Sequence, residues 1–222
     1  MRFIIIRAAV LGLLLAAAAL GLLMAATASA QEWIEYSNRS DFFAINFPGE
    51  PKAKDITYTT EYAITLPGHV YSYENGRSRY SVTVVDYTNE DKLEDERVKA
   101  CKAAGGEGDL CNNHARGDMR GAIIHATFGL IQKSAKVTHL ALSNADRVEG
   151  HELYLTNPDG TRTCAGIYMH EGRLYIIEGT VPANLPPPAL FYQSIGFLDK
   201  DGKRIRYDGT YAVGFPTPRR VR

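Results

Sequence analysis

Alternation of apolar and polar positions is the dominant pattern of the chain. It is clearest from His69 to Tyr87, HVYSYENGRSRYSVTVVDY, where two alternating runs flank Asn75-Gly76. Both central residues of a type I′ turn need positive φ, and Asn-Gly accepts it at least cost, so the stretch predicts a β-hairpin. A turn centred there sets Glu74 opposite Arg77, Tyr73 opposite Ser78, Tyr71 opposite Tyr80 and His69 opposite Val82. Tyr71, Tyr73, Tyr80, Val82 and Val84 then share one face. Arg79, Ser81 and Thr83 share the other, with Val70 and Val85 as exceptions. The first face reads as core, with a tyrosine-lined ligand face as the alternative. A lone hairpin is marginal in water, so other elements must cover it.

The flanking segments supply that cover. Trp33 to Pro51 predicts two short strands, and Lys54 to Tyr62 an edge strand. A helix capped by Thr88 or Asn89 begins with Glu90, Asp91, Glu94 and Asp95 and ends with Lys99 and Lys102, matching the helix dipole. Its apolar stripe is Leu93, Ala100, Cys101 and Ala104, Gly105-Gly106 ends it, and its charges read as a solvated face. Asp118 to Lys133 carries Ile123, Ile124, Phe128 and Ile131 at helical spacing. It is read as a helix with Asp118 as N-cap, although its β-branched residues also suit a strand. Four strands follow as a meander: Val137 to Asn144, Glu149 to Leu155, Thr161 to Met169 and Arg173 to Val181. After Pro186-Pro187-Pro188, a helix is expected with Leu190, Phe191, Ser194, Ile195 and Leu198 buried. The fold class is α+β, an antiparallel sheet with helices packed on it.

The first 30 residues change the compartment. Arg2 and Arg7 precede a long apolar run that ends in Ala28-Ser29-Ala30, the pattern of a secretory signal peptide cleaved between Ala30 and Gln31. An uncleaved anchor is the alternative reading of the same run. Cleavage leaves residues 31–200 as one α+β domain and 201–222 as a basic, Gly/Pro-rich tail. The tail is expected to be loosely attached, with contact to an anionic surface or partner as the sharper option. Of 25 basic residues, Arg2 and Arg7 leave with the leader, so 23 face 25 acidic ones. That balance gives no basic field for nucleic acid. No second apolar segment is long enough to span a membrane, so the mature chain is expected in the periplasm or secreted.

In an oxidising space, Cys101 and Cys111, ten residues apart around a Gly-rich link, read most simply as a disulfide. The competing reading takes Cys101, Cys111 and His114 as metal ligands, but the spacing matches no strong zinc pattern. Cys164 is left over in the apolar run TCAGIYM and reads as a small buried hydrophobe.

Three stretches carry a family resemblance: W-x-E-Y with D-F-F-A-I-N-F-P-G-E-P (Trp33 to Pro51), the meander, and A-L-F-Y-Q-S-I-G-F-L (Ala189 to Leu198). Together they resemble the bacterial secreted relatives of the PsbP-like superfamily. The resemblance implies an α/β/α sandwich over most of residues 33 to 198. The Cys101–Cys111 segment and the basic tail fall outside the pattern, and no residue matches a metal or photosystem contact of the family.

The sequence contains no G-x-S-x-G, H-E-x-x-H, P-loop or dinucleotide fingerprint, so no catalytic, cofactor or metal residue is assigned. Gly105-Gly106-Glu107-Gly108 reads as a linker. The first functional expectation is a non-enzymatic binding or accessory domain for an unknown protein or small ligand. The alternative is a hydrolase or metal-dependent enzyme using His139, His151 and His170 of the meander or the Cys111/His114 loop. The two differ in whether those histidines converge in space.

Overall fold

The structure is a computed structural model describing residues 33–133 and 136–221. The expected cleavage position at Ala30 and Gln31 lies outside the described residues. Strands β1 (Ile34–Asn38), β2 (Phe43–Phe47), β3 (Lys52–Thr59), β4 (Thr65–Asn75) and β5 (Ser78–Asp86) come first. Helix α1 (Glu90–Ala103), a 3₁₀ turn (Gly108–Cys111) and helix α2 (Ala115–Lys133) follow. Then come β6 (Lys136–Ala145), β7 (Val148–Thr156), β8 (Arg162–His170) and β9 (Arg173–Val181). The one-turn helix α3 (Ala189–Tyr192) and the short strands β10 (Gly196–Phe197), β11 (Arg206–Tyr207) and β12 (Arg220–Val221) close the chain.

The hairpin and the meander form one seven-stranded antiparallel sheet, ordered β3-β4-β5-β9-β8-β7-β6. They join where β5 pairs with β9, Val82 opposite Ile177. Adjacent residues of a strand point to opposite faces, and the core divides accordingly. Tyr71, Tyr80, Val82, Val84, Tyr175 and Ile177 belong to one buried cluster, with Phe43, Ile45 and Phe47 of β2 and Phe191 of α3. Val85, Leu174 and Ile176 belong to a second, with Ala122, Ala126 and Leu130 of α2. The tyrosine-rich hairpin face is therefore core and not a ligand surface.

The hairpin register differs from expectation by two residues. Asn75 pairs with Ser78, so Gly76 and Arg77 form the loop; Tyr71 faces Val82 and Tyr73 faces Tyr80. Gly76 has φ +59° and Asn75 keeps negative φ. Positive φ at the first central residue alone is the II′ pattern, which needs only the glycine. A shift of two keeps every side chain on its face, so the expected core face survives the error.

Three further expectations are corrected. In α1 the buried positions are Glu90 and Glu94, and Ala100 and Ala104 are exposed. Glu94 is satisfied there: Arg97 Nη2 lies 2.9 Å from its Oε2, and the His114 amide donates to it. Asp118 is no cap, because α2 starts at Ala115 and Asp118 lies buried within its first turn. The last helix stops after one turn, leaving Leu190 exposed while Ile195 and Leu198 are buried beyond it.

The terminal segment is also held more closely than a loose tail. Ile205 and Tyr207 are buried in the first cluster, Arg204 pairs with Asp146 at 2.8 Å, and Arg220 pairs with Glu171. Helix α1 ends as expected at Gly105, φ +80°, whose amide bonds Lys102 O while Gly106 bonds Cys101 O. These two bonds are the Schellman pair. Among the described residues no helix is long and apolar enough to cross a membrane.

Candidate functional site

A cavity of about 370 Å³ opens between β7, β8 and the segment leading into α3. The strand register builds its floor: Tyr154 pairs with Cys164 and Thr156 with Arg162, and directly paired residues share a face. Gly179 of β9 lets the roof descend. A Cβ there would meet Pro188 Cγ at 2.8 Å and Phe191 at 3.3 Å. The missing side chain therefore permits α3 to lie on the sheet with Pro187, Ala189 and Tyr192 over the cavity.

Its polar groups form a directional chain. Gln193 Nε2 donates to Tyr192 Oη at 2.9 Å, Tyr192 Oη meets Tyr154 Oη at 2.7 Å, and Tyr154 Oη donates to Glu152 Oε1. Because Tyr154 spends its proton on the carboxylate, Tyr192 is the donor to Tyr154. The His139 ring lies 4.7 Å from that of Tyr154, with Nε2 3.8 Å from Glu152 Oε1. Burial, then the hydrogen bond to Glu152, holds the Tyr154 phenol above its usual range. Burial raises Tyr192 as well, and it pushes the Cys164 thiol up to about 11. Near neutral pH these phenols and the thiol keep their protons. They can bind and orient a ligand, but the pocket offers no activated nucleophile.

One donor remains unspent. Arg162 lines the cavity, and its Nη2 donates to Leu185 O. Its Nε is buried without a hydrogen-bond partner. A buried N–H without an acceptor costs roughly 1–3 kcal/mol, more for a charged group, and so favours any ligand that brings one.

A second cleft of about 470 Å³ lies at the same end of the sheet, floored by Glu178, Ser81 and Thr180 and flanked by Lys133, Arg79 and Glu74. Burial raises the Glu178 carboxyl, and Lys133 opposes the shift. Charges of both signs line this cleft.

Of the residues singled out in sequence, Cys164 lines the first cavity and His139 borders it through Tyr154, and the others lie elsewhere. Cys101 and Cys111 are joined as a disulfide. His114 stacks on Tyr62, ring centroids 4.7 Å apart, and its Nε2 bonds Asp109 O. The meander histidines diverge: His139 sits on Tyr154, His151 Nδ1 bonds Thr127 Oγ1 of α2, and His170 Nε2 bonds Tyr207 Oη. Among the described residues no three His, Cys, Asp or Glu side chains gather as a metal site. Cys164 is buried and free. Glu152, Tyr154, Arg162 and Tyr192 escaped sequence reading, because their convergence depends on register and on the roof that Gly179 admits.

No family model matches the chain, and no curated protein matches it. Among solved structures, the chain is similar to the solution structure of cyanobacterial PsbP (CyanoP) from Synechocystis sp. PCC 6803. The identity is 10%, the TM-score 0.37, and the match covers 71% of this chain and 85% of that one. That neighbour is of the PsbP-like group that the residue pattern resembles.

Proposed function

We propose that the mature chain is a non-enzymatic, extracytoplasmic binding protein. Its ligand is a small amphipathic molecule with an apolar body and a carboxylate head. The observation that carries the reading is Arg162, which lines an otherwise largely apolar cavity and whose Nε is buried without a hydrogen-bond partner. Guanidinium suits a carboxylate acceptor, and Tyr154, Tyr192 and Pro187 suit an apolar body. The leader pattern and the Cys101–Cys111 disulfide support a location outside the cytoplasm. An α/β/α sandwich is the layering we assign, supported by α2 and α3 belonging to core clusters on opposite sheet faces.

Decanoate and the anionic fluorophore 8-anilinonaphthalene-1-sulfonate are suitable probes. Calorimetric titration is expected to show saturable 1:1 binding of decanoate, with displacement of the fluorophore. Arg162→Lys keeps the charge and removes Nε, and is expected to weaken decanoate binding roughly tenfold, the scale of one charge-assisted hydrogen bond. Cys164→Phe, which fills the floor, is expected to abolish binding. Unchanged affinity in both variants, with native circular dichroism, would overturn the reading.

A further inference from the structure

The seven-stranded sheet has two edges of opposite character. The β3 edge, KAKDITYT, carries Lys52, Lys54 and Asp55. Charges of this kind block edge-to-edge pairing. The β6 edge, KVTHLALSNA, is ten residues long and holds only Lys136 and His139 as ionisable groups. It ends the sheet, with β7 on one side and no strand on the other. One row of its backbone N–H and C=O groups therefore lacks a ladder partner.

Beside that row lies an apolar patch. Leu140 pairs with Leu153 and Leu142 with His151, so both leucines share the α2 side of the sheet. They are 49% and 74% exposed. On α2, Thr127 bonds His151, and Ile124, three residues earlier, lies on the same flank. Ile124 and Phe128 are 65% and 57% exposed. Leu140 and Leu142 on the edge strand, with Ile124 and Phe128 on α2, thus leave four large apolar side chains exposed, against the ordinary scatter of single exposed residues.

We propose that this edge is a dimer interface, β6 pairing antiparallel with β6 of a second copy about a two-fold axis. The free backbone row calls for a strand as occupant, and an antiparallel strand is its own complement under two-fold symmetry. Charge permits the pairing. Centred on Ala141, the register sets Leu140 opposite Leu142 and His139 opposite Ser143, so no like charges meet. Leu140 of each copy then faces Leu142 of the other on the α2 side of the sheet, joining two seven-stranded sheets into one of fourteen.

Sedimentation equilibrium of the chain as processed by the cell tests this directly. The expected result is twice the monomer mass, falling to the monomer mass in Leu140→Lys/Leu142→Lys with unchanged far-UV circular dichroism. Thr57→Lys, at the opposite edge, is expected to leave the dimer intact. Hydrogen exchange of wild-type protein gives a readout that needs no variant: protection of β6 amides is expected to fall on dilution. A wild-type monomer, a dimer that persists in the double variant, or β6 exchange independent of concentration would overturn the proposal.

Discussion

Tyr154 and Tyr192, 38 residues apart in sequence, meet hydroxyl to hydroxyl at 2.7 Å. Each hydroxyl accepts one hydrogen bond and donates one, and the chain ends on the Glu152 carboxylate. Tyr192→Phe leaves the Gln193 donor and the Tyr154 acceptor without partners. The expected cost is ~1 kcal/mol, read as a lower urea midpoint at unchanged m-value. Tyr154→Phe is expected to cost more, because it also deprives Glu152. A double-mutant cycle should show coupling of ~0.5–1 kcal/mol, and strictly additive losses would refute the connected chain.

Glu90 and Asp118 face each other, both buried, and their four carboxylate oxygens find no donor among the described residues. Two ionised carboxylates cannot hydrogen-bond each other, whereas a protonated Glu90 donates to Asp118. Burial first, then that hydrogen bond and the Asp118 charge, raises the Glu90 pKa to about 9. The sign follows: the folded state holds a proton that the unfolded chain releases near pH 4.5. Stability from this group is complete below that pH and is lost as pH rises towards 9, with a slope of at most ~1.4 kcal/mol per pH unit. Burial lowers the His170 pKa to about 4. The unfolded chain then binds the extra proton, so stability is lost as pH falls from about 6.5 to 4. Melting curves of Glu90→Gln are expected to lose the alkaline slope and keep the acid one. An unchanged alkaline slope would show that Glu90 is ionised in the folded protein.

What was legible in sequence follows from the range of the forces involved. Period-two alternation located the hairpin, because alternation records which face is wet, while β8 and β9, buried on both faces, showed as short apolar runs between turn residues. Cys101 and Cys111 were legible because ten residues and a glycine-rich link leave little geometric choice. The two-residue register error arose because Asn75-Gly76 suits I′ while Gly76 alone suffices for II′. The stripe on α1 was misread because burial of Glu90 and Glu94 depends on Asp118 and the His114 amide, brought by the tertiary fold, with Arg97 of the same helix pairing Glu94. Arg162 falls within the strand expected over Thr161 to Met169, and nothing in the pattern there singles it out. Its unspent Nε is visible only once the segment before α3 is in place.

The disulfide pins the last turn of α1 against the end of the 3₁₀ turn, with Cα atoms 5.5 Å apart. Gly106 lies against it, since a Cβ there would meet Cys101 Sγ at 2.6 Å and Cys111 Sγ at 2.7 Å. Closing a loop of this length stabilises by ~2.5–3 kcal/mol in the chain-entropy model. The Cys101→Ser/Cys111→Ser variant is expected to lose that amount in guanidinium titrations. Pocket binding should survive, because neither cysteine lines the cavity. A loss of decanoate affinity in the folded variant would tie the link to the pocket.

Gly179 offers the sharpest test of how sequence shapes the site. Its missing Cβ is the space that Pro188 Cγ occupies, 2.8 Å from where a side chain would begin. Pro188 precedes α3, so it cannot retreat without carrying Ala189 and Tyr192 with it. Gly179→Val should suit the strand backbone, whose φ here is not positive, so its effect comes from the displaced roof. The expected destabilisation is ~1–3 kcal/mol, typical of overpacking. Tyr192 would withdraw from Tyr154, so the coupling in their double-mutant cycle should vanish in this background. Binding of decanoate should weaken in parallel. If Gly179→Val lowers stability yet preserves both the coupling and the affinity, then the roof adapts, and the pocket does not depend on how closely α3 lies against β9.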